Sequence, residues 1–333
     1  MASGAAEAAT PADAIAAASV AGLRIEFPFA GGEWLPVVDD VSFELRPGET
    51  LGFVGESGSG KTMTALAMIG LIPKPGRVTE GTITLHGSRL EDLNDRSWSR
   101  IRGKHIGMVF QDALSGLNPV RTIGSSLTEV VRRHQNMNRG DARALAIETL
   151  GAVGIPKPEE RVDAYPHQLS GGLRQRVMIA LAIINDPHVV IADEPTTALD
   201  ATIQAQILDL LAELVGSGSL LLITHDLGVA ATMCDRIAVI YAGRLVEVGT
   251  VGEILGSPMH PYTVGLIQAV PTFEPDRRPM VPIPGVPPTP DQIPPGCAFA
   301  PRCPRALERC SSDRPPLGQE GDRLLACWNP HGV

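Results

Sequence analysis

The chain has 333 residues, a net charge of −9 and five cysteines; 44% of its residues are hydrophobic and 4% aromatic. That length exceeds one ordinary domain and falls short of two, with enough aliphatic content for an α/β core. The acidic balance argues against nucleic acid as the main partner, and no apolar run of about 18 residues is present to span a bilayer.

Residues 1–21 are Ala-rich and acidic, without the basic start of a secretory signal, and read as a disordered or weakly helical leader of a chain that stays in the cytoplasm. Residues 23–27 and 41–45 read as strands split by a Gly/Pro turn within 31–36. Residues 51–54 form a short apolar strand that runs into a glycine-rich loop and a helix from Lys61 to about Leu71. Further strands are expected at 82–85 and 106–110. From 112 to about 186 the pattern turns helical: Ile123, Leu127, Val130 and Val131 recur on one helix face, and further helices are expected at 141–153 and from about 170 to 184. Residues 189–192 and 220–223 are continuous apolar runs, as in central parallel strands, with a helix at 201–215 between them. Residues 237–240 and 244–248 predict a hairpin around Ala242-Gly243. Proline is dense from Pro271 to Pro295, against regular structure, and the tail from Gly296 carries four of the cysteines.

Gly55, Glu56, Ser57, Gly58, Ser59, Gly60, Lys61 and Thr62 spell GESGSGKT, the G-x-x-x-x-G-K-[ST] phosphate-binding pattern, after a strand and before a helix. Glycines let backbone N–H groups converge on phosphate oxygens, and the helix N-terminus adds its dipole. Lys61 can reach the β- and γ-phosphates, the Thr62 hydroxyl can ligate Mg²⁺, and Thr64 in the first helical turn completes the binding set. A ligand-free glycine turn is the bland alternative; the flanking strand and helix weigh against it.

The run VVIADE ends an apolar strand in Asp193 and Glu194. A carboxylate there sits at the C-terminal edge of the sheet, where ligands bind. Asp193 would hold Mg²⁺ through water, and Glu194 could polarise the attacking water as a general base. An isolated Asp-Glu pair is ordinarily a solvated turn, but a phosphate loop needs an acidic partner of this kind.

Leu169–Gln175 reads LSGGLRQ, upstream of VVIADE by about one helix. At this point the chain resembles the ATP-binding cassette (ABC) family, whose signature sequence this matches; without companions LSGG would be a helix cap. The resemblance covers about residues 23–256 and implies an α/β P-loop NTPase cassette: a RecA-like core with an antiparallel β subdomain and a helical subdomain at about 112–186. It implies that Ser170, Gly171 and Gly172 bind the γ-phosphate of ATP held by an opposing subunit, so that a single chain lacks a complete site. Gln111 matches the Q-loop glutamine, which senses Mg²⁺ or water and links to the transmembrane partner. Ala198, Leu199 and Asp200 match the D-loop; Asp200 could otherwise cap the next helix. His225 matches the switch histidine at the γ-phosphate. Phe27 fits the adenine-stacking aromatic, with Phe29 or Trp34 as substitutes and a plain core role open. No catalytic position is degenerate, so a hydrolysis-competent ATPase using ATP and Mg²⁺ is expected.

The segment GSPMHPYTVGLIQAVP and the Q-loop run FQDALSGLNP resemble the peptide and nickel importer branch, although Ala113 replaces a usual proline. This resemblance implies an importer of dipeptides or oligopeptides, with nickel or another small solute as alternatives. It implies as partners a second ATPase subunit, identical or similar, two transmembrane permease subunits and, indirectly, a substrate-binding protein, at the cytoplasmic face of the membrane. A soluble ABC ATPase of DNA repair or translation usually carries two cassettes or a coiled-coil insert, and exporters often fuse the cassette to membrane helices; neither pattern is seen here.

The expected extension, 257–333, holds Cys297, Cys303, Cys310 and Cys327 in the spacing C-x5-C-x6-C-x16-C. Four thiolates suit a [4Fe–4S] cluster or structural zinc. Zinc sites usually contain a tight cysteine pair, absent here, and the set resembles the cluster-ligating cysteines of some peptide-importer ATPases. Free thiols remain a third reading. A bound group would tie down a proline-rich tail that cannot build its own core. Cys234 reads as simply buried.

Overall fold

In chain order, the first strands are β1 (Ala18–Pro28), β2 (Trp34–Leu45), β3 (Thr50–Val54), β4 (Arg77–Leu85) and β5 (Ser88–Arg89). This computed structural model describes residues 15–90, 93–112, 116–197, 199–216, 218–269 and 281–332. Strands β2, β1, β4 and β5 pair in that order as an antiparallel sheet. Strand β1 starts at Ala18, inside the span expected to be leader, because Ala18, Val20, Leu23 and Ile25 alternate onto the core; residues 1–14 lie outside the described residues. The Gly/Pro turn expected across 31–36 is shorter: Pro36 sits within β2, an edge strand, where a missing N–H is tolerated.

A second sheet takes β6 (Ile106–Val109), β7 (Val189–Asp193), β8 (Ser219–Thr224), β9 (Arg236–Tyr241), β10 (Arg244–Thr250), β11 (Gly318–Glu320) and β12 (Arg323–Leu325), in the order β11-β12-β10-β9-β3-β8-β7-β6. Strands β6, β7, β8, β3 and β9 run parallel to one another, and β9 pairs antiparallel with β10. Every residue of β7 and β8 is buried, which explains their unbroken apolar runs. Alternate residues serve two cores: Val189, Ile191, Leu221 and Ile223 face the antiparallel sheet, and Val190, Ala192, Leu220 and Leu222 face the helices. The β9–β10 hairpin turns through Ala242 and Gly243, both at positive φ.

The helices are α1 (Lys61–Met68), α2 (Asp95–Ile101), α3 (Ile123–His134), α4 (Arg139–Ala152), α5 (Pro158–Arg161), α6 (Gly171–Ile183), α7 (Ala201–Val215), α8 (Leu227–Met233), α9 (Val251–Gly256), α10 (Pro261–Gln268) and α11 (Arg309–Ser312). Helix α1 ends before the expected Leu71: Gly70 turns left-handed at φ 61°, and the Trp98 ring lies where a side chain there would stand. Helix α3 buries Ile123, Leu127 and Val131, the face read from the sequence. Among the described residues no helix is long and apolar enough to cross a membrane.

The C-terminal segment joins the rest of the chain through strand pairing: β12 pairs with β10, Glu247 opposite Leu325 and Val248 opposite Leu324. Phe299 packs on Tyr241 and Tyr262 with ring centroids 5.3 and 5.4 Å away. Of the proline-dense stretch, 270–280 lie outside the described residues, and from 281 to 295 the chain forms only a short 3-10 turn at Pro290–Gln292.

Candidate active site

Strand β3 delivers the chain into the glycine loop. A Cβ on Gly55 would stand 2.2 Å from the Ile240 carbonyl oxygen, so only glycine fits between the loop and β9. Gly60, at φ 101°, turns the chain into α1. The Lys61 ammonium is buried and donates to the carbonyls of Gly55 (2.8 Å) and Glu56 (2.9 Å) and to Ser59 Oγ (3.4 Å). Burial lowers its pKa, opposed by Glu194, Asp193 and Glu56. Thr64 Oγ1 donates to the Gly60 carbonyl at 3.0 Å and so braces the helix start instead of facing the loop's mouth.

Asp193, the last residue of β7, is buried and accepts from the Thr62 hydroxyl at 3.2 Å. Burial pushes its carboxyl pKa up, with Glu194 adding to the shift and Thr62 and Lys61 opposing it. Glu194 turns out of the strand at φ 44°, a conformation non-glycine residues rarely adopt. Gln111 Nε2 donates to its Oε2 at 3.1 Å, Thr197 Oγ1 donates to the same oxygen at 2.9 Å, and His225 Nδ1 stands 3.4 Å from Oε1. Lys61, Thr62, Asp193, Glu194, Gln111 and His225 are thus brought to one sheet edge. Thr197 escaped the sequence reading, although it lies in the run DEPTTALD directly after the acidic pair.

The signature residues lie apart from that edge. Ser170 caps α6, its Oγ accepting from the Leu173 N–H at 3.4 Å, and Asp200 caps α7, accepting from the Ile203 N–H at 3.0 Å. Ser170, Gly171, Gly172, Leu199 and Asp200 line an open groove whose lining includes none of Lys61, Asp193, Glu194 or His225. Ala198 and Ala113 lie outside the described residues. The Phe27 ring packs flat against Gly76, where a Cβ would meet it at 2.3 Å, and the Arg77 guanidinium covers the Trp34 ring at 3.9 Å.

Cys297, Cys303, Cys310 and Cys327 are unbridged and line one small cavity with His260, Phe299 and Arg305. Two of the sulfurs accept backbone N–H bonds, Cys310 from Leu307 and Cys327 from Asn329, each at 3.4 Å. Burial pushes the Cys327 thiol up to about 11. Among the described residues no group of three or more His, Cys, Asp or Glu is placed to hold a metal ion. Cys234, pushed by burial up to about 12, lies against Gly52 of β3.

A family profile described as "ABC transporter" matches residues 38–197, and one described as "Oligopeptide/dipeptide transporter, C-terminal region" matches residues 246–310. The chain is 46% identical to the oligopeptide transport ATP-binding protein AppD of Bacillus subtilis, over 90% of this chain and 93% of that one. It is 45% identical to the oligopeptide transport ATP-binding protein OppD of Escherichia coli, over 94% and 93%. With the dipeptide transport ATP-binding protein DppD of Bacillus subtilis the identity is 46%, over 93% of each. Among solved structures, a dimeric post-hydrolysis state of an ATP-binding cassette bound to ADP and phosphate superposes with a TM-score of 0.64 at 28% identity, covering 70% of this chain and 98% of that one.

Proposed function

The chain belongs to the ABC transporter family, and from that premise we propose that it binds and hydrolyses ATP to energise import of dipeptides or oligopeptides. The substrate class rests on what its relatives are named for and on the matched C-terminal region. In this reading the cassette spans 22–256 and the extension 257–333. It works at the cytoplasmic face of a membrane with a second cassette, two permease subunits and, indirectly, a substrate-binding protein.

The observation that carries the reading is the convergence on Glu194 of Gln111, Thr197 and His225 beside the Thr62–Asp193 pair. Lys61, poised on the loop carbonyls, reaches the phosphates. Thr62, Asp193 and Gln111 are the residues that would hold Mg²⁺, Thr62 and Asp193 already lying within hydrogen-bond distance of each other. Bound Mg²⁺ supplies charge that neutralises the phosphoryl oxygens. Glu194, held by three neighbours, orients and deprotonates the attacking water, and His225 contacts the γ-phosphate. Because the groove of Ser170, Gly171, Gly172 and Asp200 lies apart from the loop, an opposing cassette completes each site. Its helix start, capped by Ser170, suits an anion. Phe27 remains the proposed adenine contact.

Glu194→Gln tests the assignment. Turnover, followed by phosphate release, should fall by about 100-fold or more, while ATP still binds; rapid turnover in that variant removes Glu194 from its role.

For the four cysteines we read a [4Fe–4S] cluster ahead of zinc. Zinc needs its ligands about one centre at ~2.0–2.3 Å, whereas a four-iron cluster spreads four thiolates over separate irons. The four thiols line one shared cavity and two accept N–H bonds, which suits a common bound group, and the spacing without a tight cysteine pair weighs against zinc. When bound, such a cluster supplies four iron–thiolate bonds and one-electron redox chemistry. Iron and acid-labile sulfide measured on anaerobically purified protein decide between the two.

A further inference from the structure

Glu56, the second residue of the phosphate loop, is held at three points, two of them by the extension. Its carboxylate takes a two-pronged ion pair from Arg302: one guanidinium nitrogen stands 2.7 Å from Oε2 and the other 3.0 Å from Oε1. Its backbone N–H donates to the Tyr262 hydroxyl at 2.9 Å. Its carbonyl accepts from the Lys61 ammonium at 2.9 Å. Arg302 is itself fixed, its Nε donating to the Pro284 carbonyl at 2.8 Å and a terminal nitrogen reaching the Tyr241 hydroxyl at 3.2 Å. Tyr262 is fully buried between Tyr241 and Phe299.

We propose that the extension sets the shape of the phosphate loop, with Arg302 and Tyr262 acting as positioning residues that hold Glu56, and through its carbonyl Lys61, in the geometry that receives nucleotide. Three features separate this from simple docking. The contact falls on the loop and not on the outer face of the cassette. A planar fork on a carboxylate fixes orientation as well as distance, which a lone charge does not. And Glu56 carries the Lys61 contact on the same residue, so a shift of its backbone moves the acceptor of the phosphate-binding ammonium. A loop held in place does not spend binding free energy on its own ordering, so losing the hold weakens nucleotide binding.

The proposal rests on the reading of this loop as the ATP site, and the experiment keeps the two apart. Titration of the full-length chain with a fluorescent ATP analogue is combined with steady-state phosphate release. Arg302→Gln should raise the analogue's Kd and the KM for ATP by about tenfold while kcat changes less than threefold. Arg302→Lys, which keeps the charge and loses the fork, should recover part of the affinity. Tyr262→Phe, which keeps the ring in its aromatic cluster, should raise Kd by about threefold. Combining Arg302→Gln with Glu56→Gln should add little to the larger single effect, because both remove one interaction. Lowered melting temperatures with Kd and KM within twofold of wild type in both Arg302→Gln and Tyr262→Phe overturn the proposal. If Arg302→Gln does not fold, Tyr262→Phe decides alone by the same criterion. A wild-type chain that fails to bind the analogue overturns the reading of the loop itself.

Discussion

Buried charge is handled in opposite ways in two regions of the central sheet. At the phosphate-loop edge, Asp193 has the Thr62 hydroxyl as its neighbour and Lys61 leans on neutral oxygens; burial pushes the acid up and the base down. At the seam where the extension meets β10, the fully buried Glu247 accepts from the N–H groups of Met259 and His260, each at 2.9 Å, and from Arg323 at 3.2 Å. An ion taken out of water is costly unless its lone pairs or protons are matched. The seam matches its charges within the chain. The edge leaves charge under-matched, which is what a site needs if a ligand of opposite charge is to be favoured over the empty state.

The contrast is sharpest at Glu247. Replacing it with Ala leaves the Met259 and His260 N–H groups without their buried acceptor and takes one partner from Arg323, which keeps Ser257, so the folded chain should lose about 3–5 kcal/mol. Denaturant unfolding measures this; a loss under about 1 kcal/mol would mean that the seam is not the matched region described here. Next in size is the pH response of His260, which is fully buried and held neutral by burial with a pKa of about 3. Its Nδ1 accepts the Tyr262 N–H at 3.0 Å, a bond only the unprotonated ring can make. Unfolded, the ring titrates near its ordinary value, so below about pH 6.5 the unfolded chain binds the extra proton and the folded one does not. Stability should therefore fall by up to about 1.4 kcal/mol per pH unit on acidification from about pH 6.5 toward pH 3. Glu253, held below the usual carboxylate range by its bonds to Thr250, adds to the loss at the acid end. In His260→Asn, which keeps a capping acceptor, the slope near pH 6 should flatten; an unchanged slope would place the proton uptake elsewhere.

The same contrast explains what could be read from the sequence. Residues of the edge are announced by their immediate chain neighbours: the loop amides, Lys61 and Thr62 are consecutive, and Asp193 and Glu194 end a strand marked by its apolar run. Short-range pattern therefore exposes them. The contacts of the extension, at the seam and beyond it, join residues far apart in the chain. Arg302 meets Glu56 across 246 positions, and Arg314 meets Asp39 across 275. Nothing in the run HPYT indicates that the Tyr262 hydroxyl closes on a loop amide, and β12 is three residues long, too short for a periodic signal. The start of β1 within the expected leader has a related reason: Ala18 and Val20 join a strand only because β2 and β4 flank them.

The smallest expected effect has the opposite sign and tests the edge directly. Asp193→Asn keeps the side chain's shape and an acceptor for the Thr62 hydroxyl while removing a buried charge that neighbouring Glu194 disfavours. Because burial raises the folded-state pKa of Asp193, the folded chain holds that proton more tightly than the unfolded chain does. The cost of the ionised group is absent below the ordinary carboxylate range and fully present once pH has risen through the raised value. At pH 7 the variant should therefore be more stable than wild type in the absence of nucleotide, by on the order of 1 kcal/mol. The gain should vanish as pH falls and the wild-type carboxyl takes up its proton. Mg²⁺-dependent hydrolysis should be lost in the same protein, since stability and a charged, under-matched site trade against each other. Thermal melts across pH, with and without Mg²⁺ and ATP, measure both arms. A variant less stable than wild type at pH 7 would show that Asp193 is already matched in the empty chain, and the distinction between edge and seam would fail at the residue where it is most exposed to test.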